Sequence, residues 1–203
     1  MPNHSPVRQL DPRAPLVLDT RDLPRRPGVM RTVTRTVPAP DNLGLALISV
    51  PAGADLHLDL RLESVTEGVL VSGTVTTEVT GECGRCLRPV GDSLTVTLQE
   101  LYLYEDRAAK LRFPRGSDSA TDETTEEDEV HRLQGDLLDL EPALRDAVVL
   151  ALPNHPLCRE DCPGLCPECG VPRDELPADH SHAQLDPRWA ALSTLTTEHQ
   201  EKE

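Results

Sequence analysis

A cysteine-rich stretch over residues 157–170 constrains this chain more than any other feature of its sequence. It contains four of the six cysteines, and it is preceded by a distant C-x-x-C pair and followed by two histidines. The eight residues are Cys83, Cys86, Cys158, Cys162, Cys166, Cys169, His180 and His182. Closely spaced thiolates with imidazoles nearby are the ligands of tetrahedral zinc. The sequence therefore predicts that metal organises part of the fold.

The composition favours metal ligation by these cysteines over disulfides. The 203 residues include only one Trp, one Phe and two Tyr, and 37% are hydrophobic, so the core consists mainly of Leu, Val and Ala. Structural zinc contributes about 10–16 kcal/mol in small modules and would supplement such a core. The N-terminal residues lack the apolar segment of a signal peptide, which indicates a reducing cytoplasm where thiols persist.

The formal net charge of −15 argues against a cationic surface that covers the whole protein. The sequence also lacks a run of about 20 apolar residues that would span a membrane. A local basic region near the N-terminus has two interpretations, a solvated arm or a contact for phosphate groups. Its residues are Arg21, Arg25, Arg26, Arg31 and Arg35.

Period-two alternation of apolar and polar residues predicts an antiparallel sheet between about Val29 and Tyr104. Leucines alternate with charged residues over 56–63, and valines recur on one face of the following strand, which predicts a hairpin over 56–80. A 3.6-residue period predicts a helix from about Leu137 to Ala151, ended by Pro153. The fold class is therefore α+β: an antiparallel sheet or partial barrel covered by a helix, with a C-terminal zinc-binding Cys/His segment.

Composition divides the chain into four predicted segments. Residues 1–28 are proline-rich and form an extended arm, and residues 29–113 form the β domain. Residues 114–130 form a disordered loop, because six of the eight residues in 122–129 are acidic and none is hydrophobic. Residues 131–203 contain the helix, the Cys/His zinc segment and a short helix that begins near Asp186.

The eight candidate ligands form four pairs, which can combine in two reasonable ways around two zinc ions. In the sequential scheme the first two pairs share one ion and the last two share the other. In the crossed scheme the middle pairs exchange partners. The sequential scheme is preferred, because only ten residues separate Cys169 from His180 and a short loop costs little entropy. Its first site would also join the hairpin turn to the end of the helix. A single all-cysteine zinc site, with His180 and His182 solvated, stays open, as does His155 as a substitute ligand.

Four elements in this order resemble the YceD-like family, the large ribosomal RNA subunit accumulation proteins. They are Cys83-Gly84-Arg85-Cys86-Leu87, Leu150-Ala151-Leu152-Pro153, the stretch over 157–170, and Asp186-Pro187-Arg188-Trp189-Ala190-Ala191-Leu192. The similarity extends from about Val17 to Leu195, and residues 19–28 look like the high-GC Gram-positive branch. Many relatives have Cys-x-Cys where this chain has His180-Ser181-His182. Alternate residues on an extended segment point the same way, so His-x-His can chelate similarly.

The resemblance implies a cytoplasmic, non-enzymatic factor for the synthesis, processing or stability of large-subunit rRNA. The implied partners are a large ribosomal subunit precursor or a ribosomal protein, with rRNA itself possible, and neither a membrane nor a small-molecule substrate. The alternative is a zinc-dependent regulatory or protein-interaction module. A DNA-binding regulator needs a basic recognition helix, and the two predicted helices are acidic or short. The candidate ligands fill tetrahedral zinc shells and leave no open position for catalysis.

Overall fold

The computed structural model describes residues 9–105 and 131–182. The predicted acidic loop over 114–130 and the predicted short helix near Asp186 therefore lie outside the described residues. The chain forms two compact units. The first comprises Met1–Gly84 and Arg88–Cys158, and the second comprises Arg85–Leu87 and Arg159–Glu203. The four segments predicted from composition stay a prediction.

The first unit contains eight strands and one α-helix among its described residues. The strands are β1 (Val17–Asp19), β2 (Met30–Pro38), β3 (Leu43–Gly44), β4 (Ile48–Val50), β5 (Asp55–Ser64), β6 (Gly68–Glu82), β7 (Pro89–Leu103) and β8 (Leu137–Asp139). The helix, α1, spans Glu141–Ala151.

The main sheet is antiparallel throughout and is built around the long strand β6. Its strand order is β2-β5-β6-β4-β3, and β7 also pairs with β6. The β5–β6 pairing, which runs from His57 opposite Thr76 to Ser64 opposite Val69, confirms the hairpin predicted over 56–80. The described pairings form a sheet, and the partial barrel stays a prediction.

The core of the sheet follows directly from the alternation in its strands. The four leucines of β5 at positions 56, 58, 60 and 62 are at most 1% exposed, whereas the residues between them face outward. Three of them, Leu58, Leu60 and Leu62, lie opposite Val75, Gly73 and Val71 of β6, which in turn pair with β7. Burial of one such leucine contributes about 1.5–3 kcal/mol. A leucine-rich core thus compensates for the scarcity of aromatic residues.

Helix α1 covers this sheet by burying Ala143, Leu144 and Val148, and it contacts β7 and β3. The predicted α+β class, an antiparallel sheet with a covering helix, is thereby confirmed. Helix α1 falls short of the length and apolar content that a membrane-crossing helix needs, as does every other helix among the described residues.

The helix begins later than the 3.6-residue period predicted. Residues Leu137–Asp139 form β8, which pairs with β1 in a separate two-stranded sheet. Pro142 has no N–H group and is tolerated only in the first turn of a helix, so it sets the start at Glu141. Asp139 then accepts a hydrogen bond from the backbone N–H of Glu141 at 3.0 Å. The predicted helix start at about Leu137 is therefore wrong.

The second unit contains little regular structure in its described residues. Between residues 159 and 182, a 3₁₀ turn at Arg173–Glu175 is the one helical element. Leu165 and Pro172 form an isolated antiparallel bridge around the second C-x-x-C motif. Backbone hydrogen bonds between turns therefore organise this unit, and the cysteines lie within those turns.

Candidate metal centres

The two C-x-x-C motifs lie in turns of the same backbone geometry. In the first, which follows β6, the N–H of Cys83 donates to the carbonyl of Arg88 at 2.8 Å. In the second, the N–H of Cys166 donates to the carbonyl of Val171, also at 2.8 Å. Each turn therefore closes through a hydrogen bond between residues five apart.

The residue after the second cysteine adopts a left-handed conformation in both turns. Gly170 has φ 70° and Leu87 has φ 60°. Glycine accepts this conformation freely, whereas a residue with a Cβ pays about 1–2 kcal/mol for it. The first turn therefore holds the backbone of Leu87 in a strained conformation. Burial of its side chain offsets little of that cost, because 55% of the residue is exposed.

In the sequential scheme the first group is Cys83, Cys86, Cys158 and Cys162, and the second group is Cys166, Cys169, His180 and His182. The second group lies entirely within the second unit, and its candidate ligand atoms all lie within 4.8 Å of one another. The last two pairs are therefore combined as the sequential scheme predicts. Of the first group, Cys83 and Cys158 belong to the first unit, and Cys86 and Cys162 to the second. All six cysteines are in the described part of the chain, and none forms a disulfide.

In the second group each histidine faces one cysteine through Nε2. The distance between Cys166 Sγ and His182 Nε2 is 3.3 Å, and that between Cys169 Sγ and His180 Nε2 is 3.7 Å. In a tetrahedral zinc site, Zn–S bonds of about 2.3 Å and Zn–N bonds of about 2.0–2.1 Å separate sulfur from nitrogen by about 3.5 Å. The second group therefore fits a tetrahedral metal ion with two sulfur and two nitrogen ligands.

The surroundings of Cys166 favour the thiolate form of its side chain. Hydrogen bonds from the backbone N–H groups of Cys169 and Glu168 lower its pKa to about 6, with a further contribution from His180. Because the thiolate is the form that binds metal, this shift favours ligation at neutral pH. Cys166 is buried, whereas Cys169 is exposed.

Sequence reasoning missed two residues that support the ligands. Arg85 of the first turn donates from Nη1 to the carbonyl of Cys162 at 3.0 Å. Glu168, inside the second C-x-x-C motif, has its Oε2 3.6 Å from Nδ1 of His182. The position of Glu168 next to a ligand was visible in the sequence, but its contact with His182 depends on the fold. His155 is exposed and belongs to neither described group.

The five arginines of the predicted basic region are spread over several environments. Nη2 of Arg35 donates to the carbonyls of Pro15 at 2.6 Å and Val17 at 3.2 Å. Its partial burial lowers the pKa of its guanidinium. Arg35 therefore serves to hold the N-terminal segment against β2.

Three of the other arginines also contact groups of the chain. The guanidinium of Arg25 lies 3.2 Å from Asp136 Oδ1 and 4.6 Å from the centroid of the Tyr104 ring. Arg21 pairs with Asp19 at 3.0 Å, and Arg31 pairs with Asp22 at 3.7 Å. Arg26 is exposed. These arginines thus neutralise neighbouring carboxylates, which reduces the positive charge that they present to a partner.

Comparison with known proteins identifies the family of this chain. The family model described as large ribosomal RNA subunit accumulation protein YceD matches residues 71–196. A protein of Mycobacterium tuberculosis is 51% identical over 189 residues, which cover 93% of this chain and 85% of the relative. A protein of Mycobacterium leprae is 43% identical over 182 residues, which cover 90% of this chain and 78% of the relative.

A more distant relative is the chloroplastic large ribosomal RNA subunit accumulation protein YCED homolog 1 of Arabidopsis thaliana. It is 24% identical over 167 residues, which cover 75% of this chain and 52% of that protein. No solved structure matches the chain significantly. The mycobacterial relatives agree with the predicted high-GC Gram-positive branch. The chain belongs to the family of large ribosomal RNA subunit accumulation proteins, YceD, as its motifs predicted.

Proposed function

We propose that this protein is a cytoplasmic, non-enzymatic factor that supports the synthesis, processing or stability of large-subunit rRNA. The observation that carries the proposal is membership of a family described by large ribosomal RNA subunit accumulation. The name of the Arabidopsis relative agrees with this role.

Two zinc ions stabilise the protein in this proposal, one in each group of four ligands. The sulfur and nitrogen donors of both groups match the ligands that zinc prefers, and the donor separations in the second group match a tetrahedral ion. With four protein ligands, each ion would supply folding free energy and leave no coordination position for a substrate.

The charge distribution favours a protein partner over extensive direct contact with rRNA. The net charge is −15, whereas direct binding to nucleic acid normally depends on many Lys and Arg side chains. Most of the candidate arginines also pair with acidic or carbonyl groups of the chain. We therefore infer contact with a large-subunit precursor through a ribosomal protein, with exposed Arg26 as a local contact to rRNA or that protein.

Helix α1 argues against the alternative of a DNA-binding regulator. Its arginine, Arg145, donates to the carbonyls of Asn42 at 2.6 Å and Asp41 at 3.2 Å, and pairs with Glu141 at 2.9 Å. The guanidinium is thus engaged within the fold and is not presented to a DNA groove.

Depletion of the protein in its native host tests the proposed role. We expect mature large-subunit rRNA to fall relative to small-subunit rRNA, and complementation with the unaltered gene to restore the ratio. An unchanged ratio, with altered transcription of particular genes, would contradict the proposal and favour the regulator. Immunoprecipitation from the same cells should recover large-subunit proteins and precursor rRNA.

Metal analysis of the purified protein tests the zinc content separately. Two zinc ions per chain are expected, and one would support a single all-cysteine site. The rRNA ratio and the metal content are independent measurements, so either part of the proposal can fail alone.

A further inference from the structure

Glu168 is close in the chain to two members of the second ligand group. It lies two positions after Cys166 and directly before Cys169. Its side-chain Oε2 lies 3.6 Å from Nδ1 of His182, and the two side chains are 31% and 30% exposed, respectively. A residue of the second C-x-x-C motif therefore contacts a candidate ligand fourteen positions further along the chain.

The contact with His182 involves the ring nitrogen that faces away from the cysteines. Nε2 of His182 lies 3.3 Å from Cys166 Sγ, whereas Nδ1 faces the Glu168 carboxylate. A neutral imidazole carries its proton on one nitrogen and ligates through the other. A carboxylate at Nδ1 therefore favours the tautomer that leaves Nε2 unprotonated toward the cysteines.

We propose that Glu168 is a positioning residue of the second metal group, which fixes the tautomer and ring orientation of His182 and thereby strengthens zinc binding. This inference rests on the zinc binding included in the proposed function. Carboxylates that accept a hydrogen bond from a ligating histidine typically change metal affinity by about 10–100-fold. The 3.6 Å separation is longer than a hydrogen bond, and a hydrogen bond from Nδ1–H to the carboxylate is part of the proposal.

The test measures zinc affinity of the full-length chain by competition with a chromophoric chelator. Glu168→Ala keeps the backbone amide and removes only the side-chain contact, so about a tenfold or greater loss of affinity at one of two sites is expected. Glu168→Gln keeps an oxygen that accepts from Nδ1–H, so a smaller loss is expected. Glu160→Ala removes an exposed carboxylate from the same unit and should leave both affinities unchanged.

A spectroscopic measurement separates positioning from a general structural effect. Nitrogen-15 NMR of the zinc-loaded protein should show His182 protonated at Nδ1, with slow exchange of that proton. Glu168→Ala should accelerate this exchange for His182 and leave His180 unchanged. Cobalt-substituted protein should retain a tetrahedral absorption spectrum in both forms.

Three results would overturn the inference. Equal zinc affinities of Glu168→Ala and the unaltered protein would do so, as would an unchanged exchange rate at His182. A protein that binds zinc with no contribution from His180 and His182 would overturn this inference and the two-zinc proposal together, whereas the rRNA ratio would still test the proposed role.

Discussion

Tyr102, in β7, and Tyr104, just after it, allow a direct test of the described core. Replacement by phenylalanine removes only the hydroxyl group from each of them. The ring of Tyr102 is 1% exposed, and its hydroxyl is buried without a hydrogen-bond partner among the described residues. Tyr104, 7% exposed, shares a buried hydrogen bond of 3.1 Å with Ser64 Oγ. Replacement of each tyrosine by phenylalanine should therefore have opposite effects on stability.

The expected magnitudes follow from hydrogen-bond energetics. A buried polar group without a partner costs about 1–3 kcal/mol, so Tyr102→Phe should raise the free energy of unfolding by about 1 kcal/mol. Tyr104→Phe removes a hydrogen bond and leaves Ser64, which is 0% exposed, without its partner. It should lower the free energy of unfolding by about 1–2 kcal/mol. The two variants should thus differ by about 2–3 kcal/mol.

Urea unfolding of the zinc-loaded protein, followed by circular dichroism and linear extrapolation, measures both changes. Equal destabilisation by the two substitutions would refute the reasoning, since it would mean that the Tyr102 hydroxyl has a partner such as a buried water.

The pH dependence of stability gives a second test of the environment of Tyr102. Burial and the charges of Asp139 and Glu100 raise the pKa of Tyr102 in the folded state.

Because the pKa of tyrosine in the unfolded chain is about 10, deprotonation above that pH favours unfolding. The unaltered protein should therefore lose stability as pH rises above about 10, and Tyr102→Phe should lose less. An unchanged difference between them from pH 7 to above pH 10 would contradict the raised pKa.

Three further predictions concern the ligand turns and the helix. His180→Ala with His182→Ala should release one of two zinc ions and leave the circular dichroism of the sheet unchanged; release of both, or of neither, would contradict the sequential grouping. Gly170→Ala should cost about 1 kcal/mol in urea unfolding, because φ is 70° and the space around the new Cβ is open. Gly91→Ala, whose new Cβ meets Val79 O at an ordinary 3.5 Å, is the control and should be nearly neutral. Arg145→Ala should lower the free energy of unfolding by about 1 kcal/mol, since it removes the hydrogen bonds to Asn42 and Asp41; an unchanged urea midpoint would show that these bonds contribute nothing.

Local pattern alone determined most of the sheet. Leucines alternate with charged residues in β5, and a strand with one buried face must show that period, so the hairpin with β6 could be predicted without coordinates. The family could also be predicted from the sequence, because its motifs are short, follow one another in a fixed order and require particular residue types.

The tertiary structure alone decided which residues meet across long distances in sequence. Residues 137–139 fit the period of a helix, but they pair with β1, whose residues lie 118 to 122 positions earlier in the chain. Pro142 then sets the start of the helix at Glu141. The arginines near the N-terminus looked like a basic patch, but the fold placed acidic and carbonyl groups beside four of them.

The candidate metal centres were likewise predicted in part from the sequence and decided in part by the tertiary structure. Sulfur and imidazole chemistry identified eight candidate ligands, because few other residue types bind zinc at that spacing. Spacing left two ways of combining the four pairs, and only the folded backbone brings Cys166 and Cys169 to His180 and His182. The contact between Glu168 and His182 likewise depends on the path of the chain between them. Local periodicity follows from the geometry of each residue and its neighbours, whereas these contacts depend on how the whole chain packs.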